Sequence, residues 1–236
     1  EFTQILSSLA VFAVGFLTRP IGGILFGYIG DRYGRRISLI CSMLGMTCTT
    51  LAIGFIPGYS SIGMLAPILL VIFRLIQGLC ISGEGAGAAI FVLEHFGKLS
   101  PGFVTGIVNG SNIAGTLIAS FVGILITHYF GGMEDAWRIA FVLGGIMGIF
   151  GFYLRLQTSE TPIFRIMAKR KEILKSPFLD VARNSWHYMI LTCIVGGIAS
   201  SVVYIVKTYV NVFYVDIMKT NELYQPRIWG LLLKQR

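Results

Sequence analysis

The chain has 236 residues, of which 55% are hydrophobic and 13% charged, with a mean hydropathy of +0.76 and a formal net charge of +8. One soluble core of this size cannot hide so much apolar surface, which excludes an ordinary water-soluble domain and leaves lipid to solvate the surplus. Nucleic-acid binding is also excluded, because Lys and Arg collect in short gaps between apolar runs instead of forming one patch interleaved with aromatics.

In hydrocarbon every backbone polar group needs an internal partner, so spanning segments are helices or the strands of a closed barrel. The apolar runs here reach about 20 residues or more, where a barrel strand needs only about 10 with alternation. They predict transmembrane helices over 5–30, 37–56, 64–93, 103–130, 137–156 and 188–217. Arg32, Arg35 and Arg36 follow the first run, and Lys98 follows the third. Arg155 at the end of the fifth begins a basic stretch that continues with Arg165, Lys169, Arg170, Lys171, Lys175 and Arg183, while the gaps 57–63 and 131–136 hold neither Lys nor Arg. The positive-inside rule places the basic gaps in the cytoplasm, so the first span runs inward and the protein is expected in the inner (plasma) membrane. The chain begins with Glu1, and after 217 its only apolar patch, 228–233, is too short to span. It is therefore read as a fragment of a longer polytopic protein. Cys41, Cys48, Cys80 and Cys193 lie inside apolar runs without the paired spacing of a zinc site, so no metal or cofactor is expected.

The turn after the first span reads Gly27-Tyr28-Ile29-Gly30-Asp31-Arg32-Tyr33-Gly34-Arg35-Arg36. Its glycines permit close approach, Asp31 is suited to a helix N-terminus or an Arg, and the bases suit anionic headgroups. Thr18-Arg19-Pro20-Ile21-Gly22 precedes it. Further on come Arg74-Leu75-Ile76-Gln77-Gly78, then Gly83-Glu84-Gly85-Ala86-Gly87-Ala88-Ala89, and finally Ser159-Glu160-Thr161-Pro162-Ile163-Phe164. Together these resemble the major facilitator superfamily, in particular its metabolite–proton symporter branch of proline/betaine, shikimate, citrate and oxoglutarate carriers.

The resemblance implies an all-α membrane protein, with helices two to seven of a twelve-helix bundle present. On it, 1–156 supplies five spans of an N-terminal six-helix bundle, 157–187 is a cytoplasmic central loop, 188–217 opens the C-terminal bundle, and 218–236 is a polar tail. It also implies that Gly27, Asp31, Arg32, Gly34, Arg35 and Arg36 form a gating loop, and that Arg74 belongs to a helix-four motif tied to coupling and gating.

Ionisable residues in the apolar runs stand out, since each costs about 2.5–3.5 kcal/mol in hydrocarbon unless paired or wetted. Arg19 lies about 18 Å above the turn, either facing a solute pathway or paired with an acid on another helix. Arg74 and Glu84 are separated by about 15 Å of rise and 280° of rotation, which rules out a simple intrahelical pair. A carboxylate in a poorly solvated site takes up a proton more readily, which suits Glu84 to proton coupling; the other reading is a paired packing residue. Asn109, Asn112, Thr116 and Ser120 share one helical face, suited to lining a polar pathway or to bonding between helices. Gly83, Gly85 and Gly87, Gly23 with Gly27, and Gly102, Gly106 and Gly110 are read as helix-packing positions. Lys207 is read as a snorkelling anchor, Glu94, His95 and His128 as interface residues, and 163–174 as an amphipathic helix on the inner leaflet or a solvated linker.

Proton symport of a small zwitterionic or carboxylate solute is the leading expectation, since guanidinium groups at depth grip carboxylates. The overall pattern looks nearest the proline and betaine carriers; a dicarboxylate- or shikimate-type symporter and a truncated, non-transporting remnant are the alternatives. No Ser/His/Asp set or nucleotide loop lies where water reaches, so an enzyme is not expected. The expected partners are solute, proton and lipid, with the protein a monomer.

Overall fold

The computed structural model describes residues 15–97, 99–131, 133, 135–171 and 177–212, with side chains omitted at 177–180, 204 and 207–212. Among the described residues the chain is helical: α1 Arg19–Tyr33, α2 Arg35–Gly54, α3 Tyr59–Ile62, α4 Leu65–His95, α5 Pro101–Phe130, α6 Ala136–Gln157, α7 Pro162–Arg170, α8 Pro177–Asn184 and α9 Trp186–Val212. Helices α2, α4, α5 and α6 and the stretch Trp186–Val203 of α9 are long and apolar enough to cross a membrane. Of the predicted first span, α1 supplies the inner 15 residues, and 1–14 lie outside the described residues. The side chain of Lys207 lies outside them too.

The chain divides into two compact units, Glu1–Pro177 and Phe178–Arg236. The second contributes α9, whose apolar side chains from Ile190 to Val206 are largely exposed, as expected of a surface solvated by lipid.

In the first unit α2 is the central element, packed against α1, α4 and α6. Its contact with α6 follows from the spacing of small residues. Side chains added at Gly145, Gly148 and Gly151 of α6 would strike Leu51, Thr47 and Met43 of α2 respectively. A ridge of α2 side chains at four-residue intervals thus lies in a groove of α6 glycines at three-residue intervals, the packing that lets two helices run nearly antiparallel. Helices α1 and α4 approach through Gly22 against the Leu79 backbone, Gly78 against the Gly15 backbone and Gly83 against Phe26. The Thr18 hydroxyl donates to the Leu75 carbonyl at 2.9 Å, and that of Ser82 to the Arg19 carbonyl at 2.8 Å.

These registers pair α1 in parallel with α4, and α2 antiparallel to α4 and α6. The basic turn, the end of α4 and the end of α6 consequently meet at one end of the unit, the end assigned above to the cytoplasm.

Several packing expectations are corrected. Gly23, Gly27, Gly85, Gly102, Gly106 and Gly110 have no described atom within contact range of an added side chain. Small-residue spacing identifies a helix face without saying whether a neighbour covers it; of the predicted positions Gly83 and Gly87 are covered, by Phe26 and Leu39, and further covered faces are those of Gly22, Gly78 and Gly145 to Gly151. Within the gap 57–63 there is the short helix α3. The amphipathic segment is shorter than expected: Thr161 caps it by accepting from the Phe164 amide at 3.3 Å, Pro162 opens it, and it stops at Lys171 in a left-handed conformation.

Replacing Gly148 with Ile should overfill the α2–α6 groove and cost about 1–3 kcal/mol. Unfolding of the reconstituted protein in a mixed-micelle SDS series will check this, and an unchanged midpoint would remove the ridge-and-groove account.

Candidate functional site

The turn between α1 and α2 turns on Gly34, whose φ of 116° and ψ of 148° are strained for any residue with a side chain. A second constraint acts there, because a side chain at Gly34 would meet the Glu160 carboxylate. Both oxygens of Glu160 accept from the Arg36 amide at 3.1 Å, and one accepts from the Thr161 amide at 2.9 Å. The carboxylate thereby satisfies a donor of the first turn of α2, where the helix dipole also favours negative charge. The Arg36 guanidinium donates to the Leu156 carbonyl at 2.6 Å, tying α2 to the end of α6.

Arg35 carries the rest of the inner-end network. It contacts Asp31 at 2.7 Å and Glu94 of α4 at 3.2 Å, so one guanidinium links α1, α2 and α4. The expectation that Asp31 meets an Arg is met by Arg35. Arg32 is exposed and donates to the Tyr28 hydroxyl at 2.6 Å. Gly27 faces open space and takes no part in the contacts.

Deeper in the unit, Glu84 of α4 forms an ion pair with Arg155 of α6, and its second oxygen lies 3.4 Å from the Ser42 hydroxyl of α2. The two charged side chains are 31% and 22% exposed, so neither is fully solvated. Arg74 is placed differently. Its guanidinium lies 5.6 Å from the centre of the Phe141 ring and 3.4 Å from Gln77 Oε1, while Gln77 donates to Thr50 Oγ1 at 3.0 Å. Arg19 is half-buried on α1, its guanidinium 3.9 Å from the centre of the Phe16 ring.

Asn109 and Asn112 are exposed on α5, as are Ser111, Thr116 and Ser120, whose hydroxyls donate to carbonyls of α5 itself. Their shared face has no packing partner among the described residues, and it is not joined to Glu84 or Arg74.

The structure thus gathers Glu84, Arg74 and the basic turn into one unit through residues that sequence reasoning did not select as site residues. From sequence, Arg155 is a topological base, Glu94 an interface residue, and Glu160 only part of a motif. The flanking Leu154 and Leu156 were the available signal for Arg155, since they mark it as lying within an apolar run.

Comparison with known proteins agrees with this architecture, and a model of the Major Facilitator Superfamily matches residues 2–229. The chain belongs to that superfamily. It is 35% identical over 242 residues to the proline/betaine transporter of Escherichia coli K12, covering 98% of this chain and 47% of that protein. A glycine betaine/proline/ectoine/pipecolic acid transporter of Dickeya dadantii is likewise 35% identical, with the same coverages of 98% and 47%. The chain therefore spans about half the length of these curated relatives. Among solved structures, the proton:xylose symporter XylE bound to 6-bromo-6-deoxy-D-glucose superimposes with a TM-score of 0.60 at 22% identity, over 72% of this chain and 39% of that one. A double-Trp mutant of XylE gives a TM-score of 0.56 at 22% identity, over 74% and 41% of the two chains. At that identity the likeness establishes the fold. This major facilitator chain is a multi-pass membrane protein whose curated relatives are transporters by name.

Removing one partner of the deep ion pair should cost more than removing both charges, because a lone charge is left in a poorly solvated site. A double-mutant cycle of Glu84→Gln and Arg155→Gln should give a coupling of about 0.5–3 kcal/mol in SDS unfolding. Additive effects would mean that the two side chains do not interact in the bilayer.

Proposed function

We propose that this chain forms part of a proton-coupled carrier of a small zwitterionic solute of the proline or betaine kind, acting in the cell's inner membrane. The observation that carries the reading is the Glu84–Arg155 pair, a carboxylate held within an apolar span against a cation on another helix. Such a pair costs too much in lipid to be a chance feature of the surface, and a carboxylate so placed has two states of different mechanical consequence. Ionised, it draws α4 toward α6. Protonated, it is neutral, the attraction to Arg155 falls away, and α4 is free to shift relative to α6. Alternation between these states is what a rocking carrier requires of a coupling group.

In this reading Arg74 is a second coupling group, reached from α2 through Gln77, and the turn at Gly34 to Arg36 gates the inner end. Arg19 and the polar face of Asn109 and Asn112 contribute to the solute pathway, with a guanidinium suited to the carboxylate of the solute. The names of the Escherichia coli and Dickeya dadantii relatives support the zwitterion class. Dicarboxylates are the competing class, since they would use the same guanidinium groups.

Uptake of radiolabelled proline, betaine, oxoglutarate and citrate should be measured in vesicles carrying the genomically encoded protein, with and without an imposed pH gradient. Gradient-driven uptake of proline or betaine is expected, and Glu84→Gln should abolish it while the protein remains in the membrane. Preference for oxoglutarate or citrate would replace the solute class, and unaltered proton-driven uptake by the variant would remove Glu84 from the mechanism. No uptake of any solute would favour the non-transporting remnant.

A further inference from the structure

Arg74 and Glu84 lie on the same helix, yet the polar groups between them run through α2. From Arg74 the contacts pass to Gln77 and then to Thr50. Beyond Thr50 there is a cavity of about 220 Å³ between α4 and α6, floored by α2. Its polar lining is Thr47, Thr50 and Glu84; Met43, Met46 and Ile81 wall it, and Gly144 and Gly148 keep the α6 side free of side chains.

Thr47 is the unusual member. Its neighbours Thr49 and Thr50 donate to the carbonyls of Gly45 and Met46 at 2.7 Å, as helical threonines ordinarily do. Thr47 is only 6% exposed, faces Gly148, and makes no side-chain hydrogen bond among the described residues. Its hydroxyl is not sealed off, since it opens onto the cavity, and a polar group facing such a space normally bonds ordered water. The cavity has room for several waters at about 30 Å³ each, and two hydroxyls with a carboxylate meet the requirement of about two to four polar partners. Without them, walls of methionine and isoleucine would leave it dry.

We propose that this cavity is a hydrated proton-access site for Glu84, anchored by the hydroxyls of Thr47 and Thr50 and linked through Gln77 to Arg74. The inference rests on the reading of Glu84 as the group that carries the proton. The water nearest Glu84 gives a proton to a carboxylate oxygen and takes one from the next water, so one proton enters, the carboxylate becomes a neutral acid, and Arg155 keeps its charge. Arg155 is the charged group that α6 presents to Glu84. Among the described residues α2 presents Ser42, Met43 and Thr47 there, none of them charged, while α1 packs on the Gly83 face of α4.

The test is infrared difference spectroscopy of the genomically encoded protein reconstituted in lipid. The carboxylic-acid band of Glu84 is identified by its loss in Glu84→Gln, and its hydrogen–deuterium exchange is followed after a switch to D₂O. Thr47→Val combined with Thr50→Val, which removes the hydroxyls at nearly constant shape, should slow the exchange about tenfold or more. Thr47→Ser combined with Thr50→Ser should restore the parental rate. An unchanged rate in the valine pair overturns the proposal, as does slowing that serine does not rescue or the absence of a Glu84 acid band at every pH. If exchange behaves as expected while uptake ignores the pH gradient, the transport role falls and the access site stands. If uptake is proton-driven but exchange is indifferent to the threonines, the access site alone falls.

Discussion

A charge cannot remain uncompensated in hydrocarbon, and this requirement organises the first unit of the chain. Glu84 can occupy an apolar span because Arg155 reaches it from α6, and Arg155 can reach it because α2 holds α4 and α6 on either side of itself. That arrangement depends in turn on the glycines of α6, which bring the α2 ridge of Met43, Thr47 and Leu51 close to the α6 backbone. Side-chain volume removed at Gly145, Gly148 and Gly151 therefore has an electrostatic consequence at a residue none of them touches.

The charges at the inner end obey a different balance. Asp31 is 37% exposed, and its pair with Arg35 is of the kind that typically contributes about 0–1 kcal/mol, whereas Arg35 and Glu94 are only 21% and 15% exposed. Their value lies more in direction than in strength, because one guanidinium contacts acids on two other helices. Glu160 acts differently, through two backbone amides, so its hold on the start of α2 does not depend on a flexible cationic partner.

Most of the helical architecture was legible because the bilayer imposes a length that apolar runs display directly, and the basic gaps separate those runs. The turn from Gly27 to Arg36 was also legible, since charge and glycine lie close together in sequence there. What sequence did not disclose were relations at long separation: Glu84 and Arg155 are 71 residues apart, and Arg36 and Glu160 are 124 apart. No local period encodes either. The glycines show the same limit in another form. Residues 102, 106 and 110 have the familiar spacing yet face open space, whereas the run that packs, 145, 148 and 151, has a spacing of three and was passed over. The amphipathic segment after Thr161 was recognised from its composition, but its end at Lys171 depends on a backbone conformation that no apolar pattern marks.

The Glu160 contact has a consequence for biosynthesis. Arg36 leaves the ribosome 124 residues before its acceptor, a delay of about 6–25 s at roughly 5–20 residues per second. During that interval the rest of α2 and four further helical elements, α3 to α6, must be made before the fastener arrives. The bend is thus fastened in stages, by Glu94 and Leu156 before Glu160, and a nascent chain stalled before residue 160 would lack only the carboxylate that holds the start of α2.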